Sequence, residues 1–134
     1  MILTIDVGNT RIKGAVFEKD TFLEQFLFEP NALQNAIENI LTKYPSTSHL
    51  VVASVGKFEK EAFSYFADRL SVHFVTHEDV FPFLNAYATP TTLGIDRMVL
   101  AAGATLRYPN QNRLVIDAGT CVTYDFISQD DVYL

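Results

Sequence analysis

The chain has 134 residues, 49% of them hydrophobic, with 16 acidic against 10 basic side chains for a net charge of −6. That length and apolar content fit a domain with a real core and exclude wholesale disorder, and the acidic balance argues against a general nucleic-acid or anionic-membrane surface. A single cysteine, Cys121, excludes an internal disulfide framework and fits a reducing cytoplasm, no apolar run approaches the roughly 20 residues of a membrane span, and Asp6 interrupts any leader-like start.

In chain order, residues 2–7 (ILTIDV) and 12–18 (IKGAVFE) are expected as strands joined by the polar turn GNTR, and 21–29 (TFLEQFLFE) as a third strand. Pro30 breaks the pattern. Asn31 is placed to cap a helix running to about Tyr44, with apolar positions 33, 36, 37, 40 and 41 at helical spacing, and Pro45 ends it. HLVVASV (49–55) predicts a short buried strand, FEKEAFSYFADRL (58–70) an amphipathic helix with Phe58, Phe63 and Phe66 in the core, and VHFV (72–75) another strand. Thr91 or Thr92 is placed to cap a helix through about Tyr108 with Ile95, Met98, Val99, Ala102 and Leu106 on its apolar face. RLVIDAGTCVTYDFIS (113–128) returns to strand, turn, strand. Three strands followed by alternating helices and strands predict an α/β fold, a mixed sheet with helices on its faces.

Two stretches repeat. LTIDVGNTRIKGAVF and LVIDAGTCVTYDFI each read as apolar strand, Asp, small residue, Gly, Thr or Asn-Thr, then a second strand. Asp6 and Asp117 are 111 positions apart, as are Gly8 and Gly119. A period this long points to two similar domains rather than a solenoid. The expected division is a first domain over 1–112 and the opening hairpin of a second over 113–134, with the second copy incomplete.

Three acidic turns carry the chemistry. In DVGNTRIK (6–13) a glycine turn brings backbone N–H groups close to a ligand and is expected to take positive φ. Such a turn cradles phosphate oxygens, Asn9 and Thr10 add donors, and Lys13 adds charge. Asp6 would repel a phosphate unless a cation such as Mg²⁺ lay between them. In TPTTLGIDRMVL (89–100), Gly94 precedes Asp96 and Arg97 at a helix start, where the dipole favours an acid. An ionised Asp96 can accept a hydroxyl proton, and Arg97 offers a fork for a carboxylate. In DAGT (117–120), Asp117 could bind a cation and Thr120 could donate to a phosphate. An ordinary solvated hairpin, or an Asp–Arg pair at a helix start, remains the bland alternative for each turn taken singly. No Walker A loop and no G-x-G-x-x-G fingerprint occurs.

Taken together and in this order, DVGNTRIK, GIDR (94–97) and DAGT resemble type III pantothenate kinases. Those enzymes have the duplicated ribonuclease-H-like fold of acetate and sugar kinases and actin-like ATPases. The resemblance covers the whole chain but about the first half of the family's usual length. It implies a cytoplasmic, homodimeric kinase that uses ATP, Mg²⁺ and a monovalent cation (K⁺ or NH₄⁺) to phosphorylate the 4′-hydroxyl of pantothenate, the first step of coenzyme A synthesis, with no nucleic-acid or membrane partner. By resemblance, Asp6, Val7, Gly8, Asn9, Thr10, Arg11, Ile12 and Lys13 form the ATP phosphate loop, with Thr120 a further ATP contact. Gly94, Ile95, Asp96 and Arg97 form the pantothenate site, with Asp96 the proton acceptor and Arg97 the partner of the substrate carboxylate. Tyr87 matches more loosely as an aromatic pantothenate contact. Asp117 is implied as monovalent-cation ligand and Asp6 as the Mg²⁺ side of the site. The chain alone is expected to be inactive. A nucleotide-binding regulator of the same fold is the competing expectation, although such a protein would not need GIDR. His49, His73 and His77 lack metal-ligand spacing and read as surface or strand-end residues, and Cys121 reads as packing.

Overall fold

The computed structural model describes residues 1–54 and 60–134, and its first element, β1 (Ile2–Val7), buries every second side chain. Leu3, Ile5 and Val7 are almost wholly shielded, which is the period-2 pattern of a strand with one covered face. β1 pairs antiparallel with β2 (Ile12–Glu18) and parallel with β4 (His49–Ser54). β3 (Thr21–Phe28) adds antiparallel to β2, and β5 (Ser71–Phe74) parallel to β4. The result is a mixed five-stranded sheet of order β3-β2-β1-β4-β5. The two-residue turn between β2 and β3 holds Lys19 at φ 53°, the left-handed geometry that suits a tight hairpin.

One face of this sheet is covered by α1 (Leu33–Lys43) through Leu33, Ile37 and Ile40, and by Phe63, Phe66 and Leu70 around α2 (Glu61–Ser64). Two helix expectations shift. Pro30–Ala32 is a 3₁₀ turn, so Asn31 is absorbed into it and α1 starts behind Ala32 without a side-chain cap; proline's fixed φ starts the turn early. The segment expected as a long helix narrows to one α-turn. Phe66 N–H bonds to Phe63 O, Ala67 N–H to Ser64 O and Arg69 N–H to Phe66 O, all three residues back. This tighter winding brings Phe63 and Phe66, three apart, onto the sheet. The expected start of that helix, with Phe58 as a core residue, and Val55 at the end of the fourth strand lie outside the described residues.

By packing, the described chain divides into two compact units, Met1–Val75 and Thr76–Leu134. The boundary lies well ahead of residue 113, where the repeat begins. The second unit contains α3 (Ile95–Arg107) and a four-stranded sheet of order β6-β9-β8-β7, built from β6 (Leu84–Asn85), β7 (Arg113–Ala118), β8 (Val122–Ile127) and β9 (Val132–Tyr133). α3 packs on β7 and β8. Neither Thr91 nor Thr92 caps it, because Thr92 sits in a 3₁₀ turn and bonds to Thr89, leaving Gly94 in the cap position. Its buried face is Ile95, Met98, Ala101 and Thr105, whereas Val99 and Leu106 of the expected face are exposed. Both stripes of this helix are apolar, so periodicity alone cannot choose between them.

Arg113 fastens the start of β7. It is 5% exposed, donates Nε–H to Tyr108 O (2.9 Å) and Nη1–H to Ser128 O (2.6 Å), and pairs with Asp131. One face of the β7–β8 hairpin stays open. Leu114 lies opposite Phe126, and Ile116 opposite Tyr124; these four and Val122 are all exposed.

Replacing Ile37 by alanine should cost about 2–5 kcal/mol, the range for emptying a well-packed aliphatic site, whereas Leu106→Ala should stay within about 0.5 kcal/mol. Urea unfolding of both variants checks the contrast.

Candidate functional site

The first acidic turn closes the β1–β2 hairpin. Asp6 stands opposite Lys13 in the register, on the sheet face away from Leu3, Ile5 and Val7. The two side chains approach to 4.0 Å with about half of each exposed. An ion pair this open contributes little to stability and leaves the lysine free to reorient. The turn is closed by Gly8 N–H donating to Arg11 O (3.1 Å), and Asn9, Thr10 and Arg11 project into solvent. Gly8 does not take positive φ, nor does any other glycine among the described residues. Its lack of a side chain serves close approach instead, since a Cβ there would stand 3.0 Å from Arg11 O.

The third acidic turn has the same plan with one residue fewer. Asp117 stands opposite Thr123, and Gly119 N–H closes the turn on Cys121 O (3.0 Å). Where the first hairpin sets a lysine across from its aspartate, this one sets a hydroxyl. Thr123 Oγ1 is buried and has no hydrogen-bond partner among the described residues. Thr120 is exposed at the tip. Cys121, expected as a packing residue, is exposed as well, because a three-residue turn leaves its tip no neighbour to pack on.

GIDR opens α3. Asp96 Oδ1 accepts the Arg97 backbone N–H (2.8 Å), and the carboxylate occupies the space a Cβ on Gly94 would need. A side chain at position 94 would therefore push the Asp96 carboxylate out of this position. His77 is exposed, as expected of a surface residue, but its ring is held by the backbone. Its Nε2–H donates to Leu93 O (2.7 Å), which holds the residue just before Gly94. With Phe81, Phe83 and Met98 it also lines a cavity of about 210 Å³.

The Arg97 guanidinium lies over the Tyr87 ring, 5.6 Å from its centre. It donates Nε–H to Asp125 Oδ1 (2.8 Å) and Nη2–H to the same oxygen. Tyr133 O–H donates to that oxygen too, and the Tyr133 ring meets Tyr87 edge-on at 6.1 Å. Asp125 is 1% exposed. Its hydrogen bond and charge raise the Arg97 pKa, burial notwithstanding. Burial, then the bond to Asp125, raises that of the Tyr133 phenol. Asp125 and Tyr133 were not anticipated. The signal was there in Asp125, a carboxylate in an apolar strand, which is costly unless a cation meets it.

Tyr87, Gly94, Ile95, Asp96 and Arg97 thus share the second unit with Asp117 and Thr120, and Asp6–Lys13 belongs to the first. Among the described residues no three His, Cys, Asp or Glu side chains converge as a metal site. A cation here would be held by one carboxylate with hydroxyl, phosphate or water oxygens, a donor set that suits Mg²⁺ at Asp6. Across from Asp117, the buried Thr123 hydroxyl offers a second oxygen. No described helix is long and apolar enough to cross a membrane.

Comparison with known proteins adds three findings. The family model of type III pantothenate kinase matches residues 2–134. Among curated proteins, the type III pantothenate kinases of Flavobacterium johnsoniae and Flavobacterium psychrophilum are 68% and 59% identical, over 100% and 99% of this chain. The chain spans about half the length of these relatives, 55% of each. Among solved structures, a Campylobacter jejuni protein described as a candidate Baf family transcriptional activator aligns over 98% of this chain and 51% of its own, with TM-score 0.53 and 24% identity. A Listeria monocytogenes candidate N-acetylmannosamine kinase aligns over 99% and 48%, with TM-score 0.54 and 12% identity. The fold is therefore the mixed α/β fold of the sugar-kinase and actin-like proteins, as expected.

Two outcomes follow from the buried cluster. Arg97→Met should cost about 3–5 kcal/mol, because it leaves the Asp125 charge buried without its partner; urea unfolding measures it. Tyr133 should ionise well above the ordinary value of 10.0. Its stabilising contribution is whole below pH 10 and is lost as the pH rises through the higher folded-state value. Phenolate absorbance should show a late step that Tyr133→Phe removes.

Proposed function

Because the chain belongs to the type III pantothenate kinase family, we propose that the whole protein transfers the γ-phosphoryl group of ATP to the 4′-hydroxyl of pantothenate, the first step of coenzyme A synthesis. The observation that carries this is the family match over residues 2–134, which takes in all three acidic turns.

Asp6 to Lys13 form the phosphate loop. The Gly8–Arg11 turn brings backbone close to the phosphates, Asn9 and Thr10 donate to them, and Lys13 neutralises charge from across the hairpin. Asp6 would hold Mg²⁺, which when bound neutralises phosphate charge. In the second unit, Asp117 would ligate the monovalent cation, with the Thr123 hydroxyl as a second oxygen, and Thr120 would meet ATP.

Asp96 is the proton acceptor for the attacking hydroxyl. Its Oδ1 is held by the Arg97 N–H, and Oδ2 makes no hydrogen bond among the described residues, which supports that role. Arg97 meets the pantothenate carboxylate, and Gly94 and Ile95 shape the approach. The Tyr87 ring, already against Arg97, gives pantothenate an apolar wall. Catalysis by such a set is mainly positioning and charge neutralisation. The same reading takes 1–112 as the first ribonuclease-H-like domain and 113–134 as the opening hairpin of the second, supported by the shared plan of the two glycine-closed hairpins. It takes the protein to be a cytoplasmic homodimer.

The test uses the full-length protein with ATP and pantothenate in a coupled assay. Turnover is expected in the wild type, and Asp96→Asn should lower kcat by about 10²–10⁴ while leaving ATP affinity unchanged. A wild type that binds ATP but never phosphorylates pantothenate would make the protein a nucleotide-binding regulator instead.

A further inference from the structure

A guanidinium presents five N–H groups along two edges. In Arg97 the Nε and Nη2 side is taken by Asp125 Oδ1. The remaining edge, Nη1 with the outer hydrogen of Nη2, is the one on which a second carboxylate can sit bidentately. The pair is asymmetric in exposure. The Asp125 side chain is fully buried, whereas that of Arg97 is 25% exposed, so the cation is anchored from inside and reaches outward. Tyr87 fixes the plane of the guanidinium from its face, and Tyr133, itself fully buried, ties the same Asp125 oxygen to β9.

Were the pair present only for stability, its carboxylate should be saturated. Instead three donors converge on Oδ1, and Oδ2 is buried with no hydrogen bond among the described residues. An unmade bond of that kind is costly. What the arrangement does achieve is orientation, because the two arginine donors turn one edge inward and the Tyr133 hydroxyl holds the oxygen they meet.

We propose that Asp125 and Tyr133 are positioning residues that turn one edge of Arg97 toward the substrate and so set the preference for a carboxylate-bearing substrate. The assignment rests on the kinase reading above, and neither residue touches the reacting atoms. A Lys in place of Arg97 would keep the charge and lose the edge.

The experiment compares two substrates, pantothenate and its neutral primary amide, on the full-length protein. Wild type should favour the acid by at least about tenfold in kcat/KM, equivalent to about 1.4 kcal/mol of differential binding. Asp125→Asn keeps the shape and removes the charge. It should reduce that preference about tenfold, mainly through KM for pantothenate, with KM for ATP unchanged. Tyr133→Phe keeps the ring packing and removes one donor, and should reduce the preference by about threefold. A merely structural role would lower both substrates alike, so an unchanged acid-to-amide ratio in both variants overturns the proposal. If Asp125→Asn does not fold, Tyr133→Phe alone decides it by the same ratio. Wild type inactive on both substrates would instead overturn the kinase reading, and this assignment with it.

Discussion

The alternation of β1 is the constraint on which the first unit depends. A strand paired on both sides can place side chains only up or down, and here down is taken by Leu3, Ile5 and Val7 beneath α1 and the Phe63–Phe66 turn. Asp6 is then obliged to stand on the open face, at the end of the strand where the chain must turn. The register with β2 places Lys13 on that face by the same rule. A slip of β2 by one residue would bury Lys13 and turn Ile12 and Val16 out of the core. The position of the Asp6 and Lys13 charges is thus a by-product of where the hydrophobic side chains go.

The second unit is organised differently, around two buried charges. Arg113 is satisfied by carbonyls at the end of α3 and in the β8–β9 turn, together with Asp131. Asp125 meets Arg97 and Tyr133 through one of its oxygens, Oδ1. Each ties the helix to the sheet at one end, so α3 is clamped at its first turn and just past its last. The residues proposed for chemistry sit at the first of these clamps, where helix, hairpin and β9 all constrain the same oxygen.

Most of the strands were legible because apolar alternation and polar turns mark both ends, and ILTIDV and IKGAVFE match β1 and β2 residue for residue. Helix starts were not. Asn31, Thr91 and Thr92 have the chemistry of caps, but Pro30 and Pro90 each wind a 3₁₀ turn first and displace the cap to Ala32 and Gly94. The two-residue strands β6 and β9 carry no periodicity, and β6 exists only through pairing with the distant β9. The acidic turns were legible as motifs. Asp125 and Tyr133 were not, because their importance lies in a contact across 28 residues and one across 8, and local spacing holds no trace of either.

The uncovered face of the β7–β8 hairpin has a colloidal consequence. Leu114, Ile116, Val122, Tyr124 and Phe126 form a continuous greasy surface on a chain of net charge −6. At neutral pH mutual repulsion keeps such molecules apart. The isoelectric point lies near 4.9. As the solution approaches it the repulsion vanishes, while the attraction between these faces does not change. In mildly acidic buffer the chain is therefore expected to associate through this face, and added salt, by screening the same charge, should move that threshold toward neutrality.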